Sequence, residues 1–458
     1  MADTVERAGV AAIVAGRSAE PAHARLAETS PAYPSPGIAW SAVAVLMVLI
    51  CLSLLDRQII SLMVQPIRRE FGVSDSQIGL LQGLAFALLN GVAGVGLGQA
   101  IDRASRRWVI FAGVTIWSVA ATLCGLARSF PELLAARAFV GIGEAALAPA
   151  AFSILSDLFP PRRLTFALSV FATGALLGVS GGLVTGGLIL SLAAHGLDLP
   201  LLGPTPAWRA AFIVTGAPGV ALSFLIFLIP EPPRRSLKGA GAAWADLFRF
   251  VASRWRFFAC HTLGFGIVIT LACANLAWAP TFLMRRFGFA PAKVGLTFGV
   301  FTLASGFVAF LITGRLVDRL IARGVSDAHF RLYAVCCAAL AVIGALAFQA
   351  PSPWGYFGLM LLAAAPLNMS AVAASSVQLV TPSALRGRVS SLYLLIAGAG
   401  GLIAGPSIVA GFTDLLFHDD AKVGASLSLT FLLLAPVAAG AFVLGLKPMR
   451  EARRLAPT

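Results

Sequence analysis

Twelve apolar runs, separated by short polar stretches, set the pattern of this chain. Read with a window of about 19 residues and about 20 residues per bilayer span, they fall at 38–66, 76–101, 107–127, 131–156, 164–194 and 207–230. A second set follows at 257–286, 291–318, 328–350, 354–381, 385–415 and 423–446. Each run predicts a membrane-crossing helix. Between the two sets the chain breaks at Pro230-Glu231-Pro232-Pro233-Arg234-Arg235, where proline ends the sixth helix. The stretch after it places Trp244, Leu247, Phe248, Phe250 and Val251 among Arg249, Arg254 and Arg256. That composition suits a helix lying along the headgroup surface or a plain solvated linker.

Two of the polar breaks repeat. Gly98 to Asp102-Arg103 after run two is echoed by Gly314 to Asp318-Arg319 after run eight. Pro161-Arg162-Arg163-Leu164 is echoed by Arg386-Gly387-Arg388-Val389, and both echoes lie about 220 residues apart. The expected organisation is a disordered tail at 1–37, a six-helix half at 38–230, a linker at 231–256, a second six-helix half at 257–446 and a tail at 447–458. No basic n-region precedes the short apolar stretch from Val10 to Ala15, so a signal peptide is not expected.

Composition agrees with a polytopic membrane protein. Of 458 residues, 58% are hydrophobic and only 12% charged, against about 25% charged in a soluble domain. The net charge of +14 does not point to nucleic acid, because the arginines sit in short clusters between apolar runs. Even-numbered loops and the tails hold Arg103, Arg106, Arg107, Arg162, Arg163, Arg234, Arg319, Arg386 and Arg450 among others, and odd-numbered loops hold far fewer. The positive-inside rule then places both termini in the cytoplasm. Arginine in preference to lysine, with abundant alanine and glycine, fits a GC-rich bacterial genome and hence a bacterial inner membrane.

Several chemistries are excluded or disfavoured. The six cysteines lie within apolar runs with no metal-type spacing, and read as packing residues rather than disulfides or a metal site. None of the four lysines sits in a GxxxxGK[ST] context. No cofactor is expected, and transport would run on a gradient or on a partner's ATP. The five histidines are scattered and no nucleophile has a visible partner, so an integral membrane lipid enzyme is a remote alternative. No soluble output domain follows the twelfth run, which disfavours a sensor.

The chemistry-bearing stretch is Asp56-Arg57 in run one, since an ionisable residue at bilayer depth costs several kcal/mol and marks a substrate or proton path. In run four Arg137 and Glu144 are two helical turns apart and project from nearly one face. Two acids and two bases around one cavity nearly cancel. Gly141 and Gly143 beside Glu144 are expected to leave room for a ligand. The opposite wall offers Asn275, Asn368 and Tyr393 as polar groups that bind substrate or merely bond between helices. A wall of charge facing an apolar wall suits an amphiphile.

Over nearly its whole length the chain resembles the major facilitator superfamily. The family's loop motif G-x-L-x-D-R-x-G-R-R appears as Gly98, Asp102, Arg103, Arg106 and Arg107, with Ala100 and Ser105 replacing the leucine and second glycine. The first half is similar to the Spinster family through Asp56-Arg57, Phe71-Gly72-Val73, Arg137-x-x-x-Gly141-x-Gly143-Glu144-Ala145 and Ser156-Asp157-Leu158-Phe159.

The resemblance implies an all-α membrane protein with twelve transmembrane helices in two pseudo-symmetric halves, working as a monomer. It implies a proton-coupled secondary transporter of a lysolipid- or sphingoid-phosphate-like amphiphile, with small organic anions or drugs as the alternative cargo. Asp56 and Glu144 would couple protons, Glu144 being the favoured pH-responsive group as the less crowded by arginine. Arg57, Arg137, Asn275, Asn368 and Tyr393 would bind substrate. Asp102, Arg103, Arg106, Arg107, Asp318, Arg319 and Arg386 would form a cytoplasmic gate, with Asp102 accepting from the positive N-terminus of the eleventh helix. Besides substrate and protons, the partners are membrane lipids.

Overall fold

A computed structural model describes residues 33–193, 197–199, 203–234, 244–368, 370–382 and 385–454. Among the described residues are twelve helices long and apolar enough to cross a membrane. Helices one to six are Pro36–Leu62, Asp75–Gly98, Arg106–Leu126, Phe130–Leu158, Arg162–Leu192 and Ala207–Leu228. Helices seven to twelve are Trp255–Phe287, Pro291–Ala322, Ala328–Ala347, Pro353–Val380, Arg388–Phe417 and Asp420–Arg454. One feature departs from an all-helical expectation: Leu197–Leu199 pairs antiparallel with Gly203–Thr205 between helices five and six. The tail expected at 1–37 falls almost wholly outside the described residues.

Two small-residue stripes set the closest helix approaches. A Cβ on Gly178 would lie 2.4 Å from the Cys51 carbonyl oxygen, and one on Gly182 would lie 2.6 Å from that of Leu55. No side chain fits there, so helix five packs backbone to backbone on helix one. The second half repeats the device, with Gly405 of helix eleven 2.7 Å from the Thr270 carbonyl oxygen of helix seven on the same construction. Helix three likewise packs on helix six, and helix nine on helix twelve. The pseudo-symmetry extends to chain reversals. Phe71-Gly72 and Phe287-Gly288 both end helices with glycine in the left-handed region, at φ 65° in each case.

The loops after helices one, seven and eleven lie on one face, termed odd, where charged groups join the halves. Asp75, fully buried, receives both Nη1 and Nη2 of Arg285, at 2.6 and 2.8 Å. Arg68 bonds Asp420 at 2.5 Å, and the Ser76 backbone N–H donates to Asp414 at 2.6 Å. Asp414, at the last turn of helix eleven, thus caps the N-terminus of helix two. Deeper in, Gln58 donates to the Leu276 carbonyl at 3.0 Å.

On the opposite, even face the arginine cluster does something other than expected. Arg106, 1% exposed, pairs with Asp157 at the end of helix four and with Glu231 at 2.7 Å, and donates to the Pro232 carbonyl. Arg107 donates to the Ile229 carbonyl and its backbone N–H to Glu231. These arginines fasten helices three, four and six of one half and do not reach helix eleven. Arg103 is exposed, and the Asp102 side chain lies outside the described residues. In the linker, Trp244–Ser253 is a helix that buries Leu247 fully against the second half and exposes Phe248.

Burial raises the Glu231 carboxyl, but hydrogen bonds from Arg106, Ser105 and the Arg107 backbone outweigh it and hold the group below the ordinary carboxylate range. A depressed folded value means that its stabilisation is present above the unfolded value and lost as pH falls through the folded one. Glu231→Gln is therefore expected to cost about 1 kcal/mol at neutral pH, a charge-assisted bond discounted for partial exposure. Thermal unfolding in detergent should show the gap between variant and parent closing as pH drops below the carboxylate range. A gap independent of pH rejects the ionic origin.

Candidate functional site

Helix one changes character at the candidate site. Its α-helical part ends at Gln58 and a tighter 3-10 turn, Ile59–Leu62, carries the chain on. Arg137 of helix four, 1% exposed, donates to the Asp56 and Arg57 carbonyl oxygens at 3.5 and 3.3 Å. It therefore braces the backbone of helix one at the transition and presents little of itself to a ligand.

Arg57 reaches the other way. It forms an ion pair with Glu144 and lies over the Phe86 ring of helix two, 4.2 Å from the centroid. The Glu144 carboxylate is 1% exposed while the Arg57 side chain is 27% exposed, so the guanidinium is the member of the pair that a ligand meets. The ring contributes a cation–π contact worth about 1 kcal/mol at such a half-exposed site. Phe86 also underlies Arg137 at 5.9 Å. This aromatic was not anticipated from sequence, where nothing separates it from the other phenylalanines of the apolar runs.

Asp56 is 1% exposed, and neither carboxylate oxygen has a donor within hydrogen-bond distance among the described residues. Its neighbour Thr215 of helix six directs its hydroxyl hydrogen to the Ala211 carbonyl. The expected division between the acids is thus reversed. Glu144 holds the guanidinium, whereas Asp56, adjacent to Arg57 in sequence, is without it, because residues 100° apart on a helix point to different partners.

The glycines flanking Glu144 also have another role than expected. A Cβ on Gly141 would sit 2.4 Å from the Phe86 carbonyl oxygen, and one on Gly143 would sit 2.6 Å from the Gly113 carbonyl oxygen. The space belongs to the backbones of helices two and three and not to a ligand. Asn90 adds a bond to the Gly141 carbonyl at 2.9 Å.

The structure brings together Asp56, Arg57, Arg137 and Glu144, and leaves the expected opposite wall dispersed. Asn275 accepts from the Tyr356 hydroxyl at 3.3 Å. Asn368 donates to the Ala364 carbonyl at 2.9 Å, where helix ten is interrupted. Tyr393 packs its ring 4.8 Å from that of His261. What helix seven offers to Arg57 is Cys273, within reach of the guanidinium field. Asp318, Arg319 and Arg386 are exposed at the even face of the second half.

Comparison with known proteins follows this geometry. The Major Facilitator Superfamily profile matches residues 46–406. An MFS-type efflux pump of Mycolicibacterium smegmatis is 28% identical over 428 residues, 91% of this chain and 94% of that protein. Protein spinster of Drosophila melanogaster is 27% identical over 389 residues, which cover 82% of this chain and 62% of that protein. A crystal structure of a bacterial homologue of the human lysosomal transporter Spinster, inward-facing and unoccupied, superposes with a TM-score of 0.74 at 23% identity, covering 92% of this chain and 98% of that one.

If Arg57 meets an anionic ligand, Arg57→Ala should weaken binding far more than Asn368→Ala. Loss of a charge partner costs about 3 kcal/mol or more and loss of one neutral bond about 1 kcal/mol. Titration calorimetry on both folded variants decides it. Equal losses would mean a neutral ligand.

Proposed function

The chain belongs to the major facilitator superfamily, and from that premise we propose that it is a proton-coupled carrier of an anionic amphiphile. Membership supports secondary transport by alternating access in a multi-pass membrane protein, and not an enzyme activity. The resemblance to Spinster proteins supports the lipid-like cargo.

The observation that carries the proton is the contrast within the first half: a buried Asp56 carboxylate without a donor beside a Glu144 carboxylate with one. Arg57 is the natural exchanger between them and the cargo. We take the present state as one in which Asp56 holds a proton and Arg57 engages Glu144. An anionic head arriving at the exposed side of Arg57 competes with Glu144, which would then need a proton of its own. Either movement alters the charge each state must bury, and differential proton affinity of two states is all that coupling requires. The amphiphile fits a charged first-half wall facing Cys273 and its apolar neighbours in helix seven.

Orientation follows the same proposal. The even face would be cytoplasmic, in a bacterial inner membrane, with both termini there and the two six-helix halves moving as units in a monomer. The odd-face ion pairs would then be the closed outer gate, and Asp102, Arg103, Asp318, Arg319 and Arg386 would meet on the even face in the opposite state. A second cargo class, drugs or small organic anions, is favoured by the 28% identity to an efflux pump across 91% of the chain.

Two experiments test this proposal. In proteoliposomes, Asp56→Asn and Glu144→Gln are each expected to abolish pH-gradient-driven net flux of a lysolipid, with at least one retaining exchange. Gradient-driven flux at the parent rate in both variants would reduce the four charges to a packing network. For the gate, Arg285→Glu places like charge against Asp75. Breaking such a buried pair costs about 3–5 kcal/mol, enough to shift a two-state population by well over tenfold. Cysteines placed near Gln58 should be labelled from the odd face at least about tenfold faster. Unchanged labelling rejects the gate.

A further inference from the structure

At the even face of the second half, helices eight, nine and ten and the start of helix eleven's connection enclose a cavity of about 440 Å³. That size is within the ~300–1,000 Å³ of small-molecule clefts. Its polar lining is Asp318, His329, Ser375, Gln378 and Arg386, and Val317 and Val372 contribute apolar wall. None of these residues belongs to the Asp56–Glu144 cluster, which lies in the other half.

His329 defines what the cavity lacks. The residue is 1% exposed, and its Nε2 lies 3.0 Å from the Ser375 hydroxyl. That hydroxyl donates its own hydrogen to the Val372 carbonyl at 3.0 Å, so it accepts from the imidazole. With the serine hydrogen placed on Val372, we assign the imidazole proton to Nε2 and leave Nδ1 as an acceptor. Nδ1 has no partner among the described residues. A buried imidazole acceptor lining a roomy polar cavity asks for a donor from outside the chain.

The surrounding charges complete the specification. Asp318 is exposed in the cavity and is a further acceptor, and its field and that of Arg453 reach His329. Arg386 lines the cavity and spends its Nε–H on the Thr381 carbonyl at 3.1 Å, which leaves its terminal amino groups as donors for a ligand. Gln378 can serve either way. A plain anion would satisfy Arg386 and leave His329 and Asp318 without donors, while a neutral polyol would do the reverse. We propose that this cavity is a second binding site, for an organic anion that also bears hydroxyl groups: the carboxylate or phosphate on Arg386, a hydroxyl donating to His329 Nδ1, another to Asp318. Soluble hydroxy acids and the glycerol phosphate head of a lysolipid share this chemistry. The site stands independently of the proton and amphiphile assignments in the first half.

The test uses the full chain in nanodiscs, titrated calorimetrically with gluconate, glycerol 3-phosphate, lysophosphatidic acid and hexanoate, the last a carboxylate without hydroxyls. Gluconate or glycerol 3-phosphate is expected to bind saturably and hexanoate at least about tenfold more weakly. Arg386→Gln and His329→Gln should each lose about tenfold, and Arg249→Gln, on an exposed side chain of the linker helix, should bind as the parent does. Binding of lysophosphatidic acid alone among the hydroxylated probes, with the same variant losses, assigns the site to a lipid head. Equal binding of gluconate and hexanoate, affinity that survives both second-half variants, or no binding by any hydroxylated probe overturns the proposal. A second readout in the unmodified protein is the ¹⁵N spectrum of labelled histidine. The His329 Nδ1 resonance must move on saturation, and its failure to move rejects the site whatever the variants do.

Discussion

The constraint on which the first half depends is that four ionisable side chains near the middle of the bundle must satisfy one another without water. Any one of them alone in that environment would cost several kcal/mol. Arg137 is answered by backbone carbonyls of helix one and Arg57 by Glu144 and the face of Phe86. Asp56 alone is left without a donor. The local design follows from this. A 3-10 turn after Gln58 tightens helix one beside the carbonyls that Arg137 takes, and glycines at 141 and 143 bring helices two and three close enough to seal the cluster. The charges and the glycines are thus one arrangement, because a desolvated ion pair is tolerated only where neighbouring backbones exclude water and leave no void.

The two faces of the molecule are held by different physics. On the even face Arg106 is buried within a single half and ties helices three and four to the chain after helix six. On the odd face the ties run between halves, and they rest on carboxylates: Asp75 on Arg285, Asp420 on Arg68, Asp414 on the backbone at the start of helix two. A carboxylate at a helix N-terminus gains from the unpaired N–H groups there as well as from the helix dipole. Such a bond is strong when aligned and is lost entirely once the helix end moves a few ångströms, which makes it suited to a contact that is either made or broken.

Sequence carried a good deal of this. Hydrophobic runs placed the ends of the twelve helices within about four residues except that of helix twelve, which continues to Arg454 through most of the expected tail at 447–458, and the Gly98–Arg103 echo at Gly314–Arg319 disclosed the duplication, because both signals are local and periodic. The expectation that Glu144 is the acid less crowded by arginine, drawn from adjacency in sequence, did not survive. Arg57 crosses to Glu144 and Arg137 turns to backbone, since partner choice depends on which way a side chain leaves its helix and what stands opposite. Sequence pointed to a carboxylate cap by Asp102 at helix eleven, a side chain outside the described residues, and gave no sign of the cap that is seen, Asp414 at helix two. Nothing in the run Gly411-Phe412-Thr413-Asp414 announces it, for the cap exists only once helices two and eleven meet.

These differences share a cause that bears on how the halves can move. Contacts within a half are mostly apolar and very short, as where Gly178 and Gly182 meet the backbone of helix one. They admit no intermediate spacing, since a shift of one ångström opens a void or forces a clash. Contacts between halves on the odd face are charged and hydrogen-bonded, and water can replace them group for group at modest net cost. A molecule built this way deforms where water can enter and stays rigid where it cannot. The buried polar clusters around Arg106 and around Asp56 break this pattern, for each lies within the first half. The Asp56 cluster is the deeper of the two, where water does not replace a lost partner, and in the proposed cycle exchange there is made by a proton or by cargo.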